Sequence, residues 1–211
     1  MGRKRPGGGF ISKGAEPIEP GSLRAHRWER FLRGPDRVLL EKLYVPALSE
    51  AVCYDRCCSF FSSQVLSAAA RGFAGLIRRL LSMVNPPRRP PIRLLVNEEL
   101  AEEDVRALIE TGDLKTLEAH LDKRFKTPQE ALERDRLAML AWLVARGFLE
   151  VRVGVMRRTG GILHAKYGIV TDEAGDAIVF RGSGNESARG LVADFETLEV
   201  STSWDDAEAY E

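Results

Sequence analysis

The chain has 211 residues, 44% of them hydrophobic and 29% charged, with 31 basic and 31 acidic side chains that cancel. That length suits one domain, or one plus a short appendage. No apolar run nears the roughly 18 residues of a membrane-spanning helix, and the basic, glycine-rich N-terminus lacks the apolar core of a signal peptide, so a soluble, cytoplasmic protein is expected. The charge is unevenly placed: residues 1–100 carry 17 Lys and Arg against 9 Asp and Glu, and residues 101–211 carry 14 against 22. A basic half suits a polyphosphate partner and equally a solvated surface, and charge alone leaves both open.

Residues 1–20 combine basic, Gly and Pro residues and read as a mobile tail, with one domain over 21–211. Order is expected from "SLRAHRWERFL". "VLLEKLYVPALSEAV" has helical spacing, with Pro46 as an irregularity. "AVCYDRCCSFFSS" reads as a buried strand ending in Ser62 and Ser63, which can cap the long apolar-periodic helix "QVLSAAARGFAGLIRRLLSMV". The prolines of "NPPRRPP" stop that helix. Cys53, Cys57 and Cys58 lack both the spread of a disulfide framework and the spacing of a zinc site, and read as buried free thiols.

"IRLLV" is a short apolar strand of the kind buried on both faces, followed by two charged helical stretches over residues 98–125. A further helix is marked at its start by Thr127 as N-cap, Pro128 in the first turn and Glu130 three residues on, and at its end by Gly147. Strands then follow: "LEVRVGV", "ILHAKYGIV", "DAIVFRGS" and "ETLEVSTSW", with "TDEAGD" as a polar turn. This order predicts an α/β fold with a mixed sheet flanked by helices.

In "LHAKYGIV" strict alternation puts His164, Lys166 and Gly168 on one face, with Gly168 leaving that face open. The next strand ends in Gly182-Ser183-Gly184-Asn185, whose glycines allow a sharp turn and close approach to a ligand. Ser183 and Asn185 can donate to an oxyanion, and Glu196 on the last strand is placed to accept from an imidazole N–H. Lys charge, Ser and Asn donors and a His nucleophile or acid suit a phosphate, with Glu fixing the His tautomer. Taken singly, a strand His is usually a packed or surface residue and Ser-Gly-Asn usually a plain turn. Five such groups on consecutive strands favour a site. Arg181 is open to two readings, a phosphate clamp or a solvent-facing side chain.

His164-Ala165-Lys166, then Gly182-Ser183-Gly184-Asn185, then Glu196 eleven residues past the Asn, resembles the signature of the phospholipase D superfamily. "AKYGIV", "GSGNESARGL" and "DFETLEV" resemble the nuclease-like branch attached to bacterial helicases and restriction-type defence proteins, and "YDRCCSFFSSQVLSAAARGFAGL" fits its first strand and helix. The resemblance spans Leu39 to Trp204. It departs at the family aspartate, whose place is taken by Thr171 with Asp172 one residue later, and Asp194 stands where an Asn-Phe-Glu run is common. The resemblance implies metal-free phosphodiester cleavage with no cofactor: His164 attacks phosphorus, a second His protonates the leaving oxygen, and Lys166 and Asn185 hold the non-bridging oxygens; Ser183, Gly182, Gly184 and Arg181 are the further candidate phosphate contacts read from the residues. Neither His26 nor His120 has a Lys two residues on, so the second His is expected from a homodimer partner. DNA is the expected substrate, with the basic tail, Arg88 and Arg89 as candidate contacts. The acidic end "SWDDAEAYE" suggests a fragment with a helicase motor following; the chain itself has no Walker motif. A lipid phosphodiesterase and an inactive nucleic-acid-binding or dimerisation domain are the alternatives.

Overall fold

The computed structural model describes residues 9–11, 19–97, 100–110, 112–155, 163–206 and 208. Among them are seven strands: β1 (Phe31–Gly34), β2 (Cys53–Cys57), β3 (Ile92–Val96), β4 (Leu149–Val153), β5 (Tyr167–Thr171), β6 (Ala177–Gly182) and β7 (Glu196–Thr202). They form one sheet in the order β1-β7-β6-β5-β2-β3-β4. β2, β3 and β4 run parallel, while β5, β6, β7 and β1 alternate antiparallel. The expected mixed α/β sheet with flanking helices is thus present. No helix of the described residues is long and apolar enough to cross a membrane.

The parallel half is built by two crossovers. β2 leads through α2 (Gln64–Ala68) and α3 (Ala70–Ser82) to β3, and β3 leads through α4 (Glu102–Ile109), α5 (Leu114–Arg124), α6 (Pro128–Arg134) and α7 (Arg136–Ala145) to β4. Successive right-handed crossovers in one direction put their helices on one face of a sheet. Burial agrees: Leu32, Tyr54, Ile92, Leu94, Val96, Leu149, Val170, Ile178, Phe180, Leu198 and Val200 share one core with the helices, whereas Leu95, Ile169 and Val179 on the opposite face do not belong to it. "IRLLV" is therefore buried on one face only, contrary to the sequence expectation.

Two helices expected to be continuous are broken. Residues 64–84 split at Ala69, which leaves helical geometry at φ −101°, ψ 25°. The helix begun at Thr127 splits at Asp135 (φ −147°, ψ 58°), whose carboxylate accepts from the Ala138 N–H and restarts the chain as α7. A short polar side chain that bonds the backbone ahead of it competes with helix continuation, which the apolar periodicity could not reveal. The two ends behave as expected: Thr127 accepts from the Glu130 N–H, and Gly147 closes α7 at φ +75°. The Pro46 irregularity is also present, as a π-helical turn over Leu40–Tyr44 entering α1 (Val45–Glu50).

Asp172 acts at the far edge of the sheet. Buried in the β5–β6 turn, it accepts from the N–H groups of Ala174 and Asp176 and from Leu23, tying residues 22–26 to the sheet. At six residues from Lys166 along a strand, it stands roughly 20 Å from the motif. Asp172→Asn keeps an acceptor but loses the charge, so a loss of about 1 kcal/mol in unfolding free energy is expected, read from urea denaturation, with proteolysis near residues 22–26 accelerated. Within the segment read as a tail, Ile11 is buried and its N–H donates to Asp122; residues 1–8 and 12–18 of that segment lie outside the described residues.

Candidate active site

The topology brings one end of five strands to a common edge. The C-terminal ends of β2 and β3, the start of β5, the end of β6 and the start of β7 all meet there. Ligands of open α/β sheets bind at the carboxyl ends of the parallel strands, and this is that edge. His164 and Lys166 lie just ahead of β5, which begins only at Tyr167, so the longer strand expected from the sequence is shortened at its N-terminal end.

The five candidate residues are gathered but are not wired as the alternation suggested. His164 is exposed, and its Nε2 lies 3.2 Å from Lys166 Nζ. An ammonium only donates, so Nε2 accepts, with its lone pair directed at Lys166. The Lys166 carbonyl accepts the Gly182 N–H at 3.2 Å, which sets the turn beside the His-Lys pair. Ser183 is clamped to β7: its N–H donates to the Thr197 carbonyl, its Oγ accepts the Thr197 N–H at 3.1 Å, and its hydroxyl donates to Glu196 Oε2. Glu196 therefore orients Ser183, where the sequence suggested it would orient the imidazole. Asn185 Oδ1 accepts the Phe60 N–H at 3.2 Å, which fixes the amide so that its NH₂ end is the free donor.

Two further expectations change, at Gly168 and Gly182, and Arg181 is placed on the sheet. Gly168 leaves no open face: a Cβ built there would meet Phe180 Cζ at 2.3 Å, because the Phe180 ring on the paired strand fills the space. Arg181 lies on the sheet face away from the helices, exposed and paired with Glu199 at 3.2 Å. Gly182 is crowded by the chain's own β7 backbone, where close approach to a ligand was expected: an added Cβ would stand 1.9 Å from the Thr197 carbonyl oxygen. Gly184 is buried against Glu196.

Under the turn lies a polar cluster that the sequence reading did not select. Glu186, adjacent to Asn185, accepts from Tyr44 Oη at 3.0 Å, Tyr54 Oη at 2.8 Å and Arg56 Nε at 2.8 Å. Arg56 also donates to the Gly184 carbonyl at 2.6 Å and to the Cys57 carbonyl at 3.3 Å, with its guanidinium 5.2 Å from the centre of the Phe180 ring. The Arg56 and Glu186 side chains are 0% and 1% exposed. Burial above all holds both tyrosine hydroxyls far above their ordinary range, so they remain donors. The signal in the sequence was an arginine inside the apolar strand "CYDRCC" and an acid directly after the turn asparagine.

The three thiols are free and buried, as expected. Burial raises each, Cys58 to about 12, which keeps them protonated and unreactive. His26 contacts Glu50, and His120 contacts Asp135 and Arg124, each in a local pairing away from this edge. Among the described residues no group of three or more His, Cys, Asp or Glu is placed to hold a metal ion.

No family model matches the chain, and no curated protein matches it. Among solved structures it is similar to NucT from Helicobacter pylori, at 15% identity over 85% of this chain and 90% of that one, with a TM-score of 0.43. It is also similar to the yeast tyrosyl-DNA phosphodiesterase, at 10% identity and a TM-score of 0.42; the match covers 81% of this chain and 31% of that one.

Proposed function

We propose that the chain is a phosphodiesterase of the phospholipase D type that cleaves DNA without a metal. The observation that carries this reading is the convergence at one sheet edge of the exposed His164, the Lys166 ammonium 3.2 Å from its Nε2, and the Asn185 amide donor on a turn that Ser183 and Glu196 hold to β7. In the first step the phosphate draws Lys166 away from Nε2, which attacks phosphorus and forms a P–N bond as the P–O bond to the leaving group breaks. A second imidazole, from a partner copy of the chain, gives its proton to that oxygen. The same imidazole then takes a proton from water, whose oxygen attacks phosphorus and breaks the P–N bond. Lys166 and Asn185 stabilise the non-bridging oxygens, the role a metal fills elsewhere. Glu196 holds Ser183 in place. The resemblance of "GSGNESARGL" and "DFETLEV" supports a setting in a bacterial restriction or defence system beside a helicase.

The test is cleavage of plasmid and oligonucleotide DNA in EDTA, with a short-chain phospholipid as the competing substrate. His164→Ala is expected to lower the rate on the order of 10⁴-fold or more. Sedimentation should give a dimer. A monomer that cleaves DNA, or cleavage lost in EDTA, overturns the mechanism. Binding without cleavage by the wild-type chain makes it a binding domain.

A further inference from the structure

The face of the sheet away from the helices carries one continuous row of paired residues across all seven strands: Phe31, Glu199, Arg181, Tyr167, Cys57, Leu95 and Arg152. At the usual strand separation the row is roughly 29 Å long. Two of its members are exposed aromatic rings, Phe31 at 53% and Tyr167 at 43%. A shallow hollow of about 240 Å³ opens beside Tyr167, lined by Asp55, Cys57, Arg93, Leu95 and Arg152 among others. That is smaller than the 300–1,000 Å³ or so of drug-sized pockets, a size for a planar ring.

The charge on this face follows a pattern. Asp55 is held by both Arg89 and Arg93, each through two hydrogen bonds. Glu199 is held by both Arg30 and Arg181. Arg152 pairs with Glu150, and Arg33 has the Phe31 ring nearby but no carboxylate within ion-pair distance among the described residues. Six arginines thus meet three carboxylates. Each two-to-one cluster keeps a net positive charge while its acid fixes the guanidinium planes, and the arginines hold both carboxyls below their usual range, so the pattern persists.

We infer that this sheet face binds single-stranded nucleic acid, the arginines taking the phosphates and Phe31 and Tyr167 stacking bases. Aromatic rings on an open sheet with cations between them bind unpaired bases, whose faces a duplex hides. A second copy is the weaker occupant. A two-fold pairing of this face would set its net positive charge against itself, with few exposed apolar side chains to offset the repulsion. Tyr167 directly follows Lys166, and Arg181 directly precedes Gly182, so a strand lying along the row passes beside the candidate active site at the middle of the row. The inference rests on the reading above only for the use made of the strand; binding itself is independent of cleavage.

The experiment is fluorescence anisotropy of labelled 20-nucleotide oligo(dT), and of a duplex of equal length, with the full chain carrying His164→Ala to suppress cleavage. The single strand should bind at least roughly tenfold more tightly than the duplex. Tyr167→Ala and Phe31→Ala should each weaken it about tenfold, by the loss of one stacked base. Arg33→Ala should reduce the slope of log K against log salt by about 0.7. Circular dichroism melts verify that each variant folds, with Tyr167→Phe, which retains the ring, expected to bind like the parent. Equal or tighter duplex binding, or ring removal without effect, overturns the proposal. So does a change of sedimentation state in Tyr167→Ala, which would assign the face to a second copy. A wild-type chain that fails to cleave yet binds the single strand leaves this surface standing and removes only the chemistry.

Discussion

Arg56→Met is expected to lower the unfolding free energy by about 3–5 kcal/mol, the usual loss when one partner of a buried ion pair is removed. The cause is what stays behind. Glu186 remains buried, its carboxylate left with two tyrosine hydroxyls and no cation, and the Gly184 carbonyl loses its donor. Methionine fills much of the arginine volume, so a cavity contributes little. Arg56→Met with Glu186→Gln removes both charges while the amide keeps both tyrosine contacts, its oxygen accepting from one hydroxyl and its NH₂ donating to the other. The double variant is therefore expected to recover more than half of the loss, a favourable coupling in a double-mutant cycle. Urea denaturation followed by circular dichroism reads both, with the midpoint falling and the slope unchanged. Cleavage should fall in the single variant beyond what unfolding explains, because Arg56 holds the Gly184 carbonyl one residue before Asn185. Equal stabilities for wild type and single variant would falsify the description of Arg56 and Glu186 as a sealed pair.

The candidate residues were easier to pick from the sequence than the groups that hold them. His164, Lys166, Ser183, Asn185 and Glu196 could be selected because they are polar groups near strand ends with glycines among them, and the register does bring those ends to one edge. What alternation could not supply was which atoms meet. It put Glu196 with the imidazole, whereas the pairing of β6 with β7 puts Glu196 beside Ser183. Strand direction decides this, and strand direction depends on pairings between residues far apart in the chain. Arg56 and Glu186 stayed hidden for the same reason: 130 residues separate them, and each alone looks like an ordinary surface charge. The break at Asp135 was a local feature, but apolar periodicity continues through it and masks the cap. The sheet face away from the helices was also beyond reach, since "IRLLV" reads as apolar on both sides and only the common direction of the two crossovers puts the described helices on one side.

Gly168→Ala is expected to destabilise the chain by about 1–3 kcal/mol, the usual cost of overpacking. The new methyl would stand 2.3 Å from Phe180 Cζ and 2.7 Å from Cε1. The ring has little room to retreat, with the Tyr44 ring 5.5 Å away on centres and the Arg56 guanidinium 5.2 Å from it. Against this, alanine gains roughly 0.5–1 kcal/mol over glycine in a strand through lower chain entropy, so the net loss measures the clash less that gain. Phe180→Leu alone loses ring contacts and also destabilises. Combined with Gly168→Ala, the shorter side chain makes space for the methyl, and the double variant should be more stable than the sum of the single losses predicts. Thermal melts resolve this, because about 1 kcal/mol shifts the midpoint of a chain this long by roughly 2–4 °C. The displaced ring would press on Arg56 and, through it, on the Gly184 carbonyl, so cleavage by Gly168→Ala should fall and partly return in the double variant. A Gly168→Ala chain that melts at or above the wild-type temperature would mean that the Phe180 ring does not lie over Gly168, and the glycine would regain the open face that its sequence position first suggested.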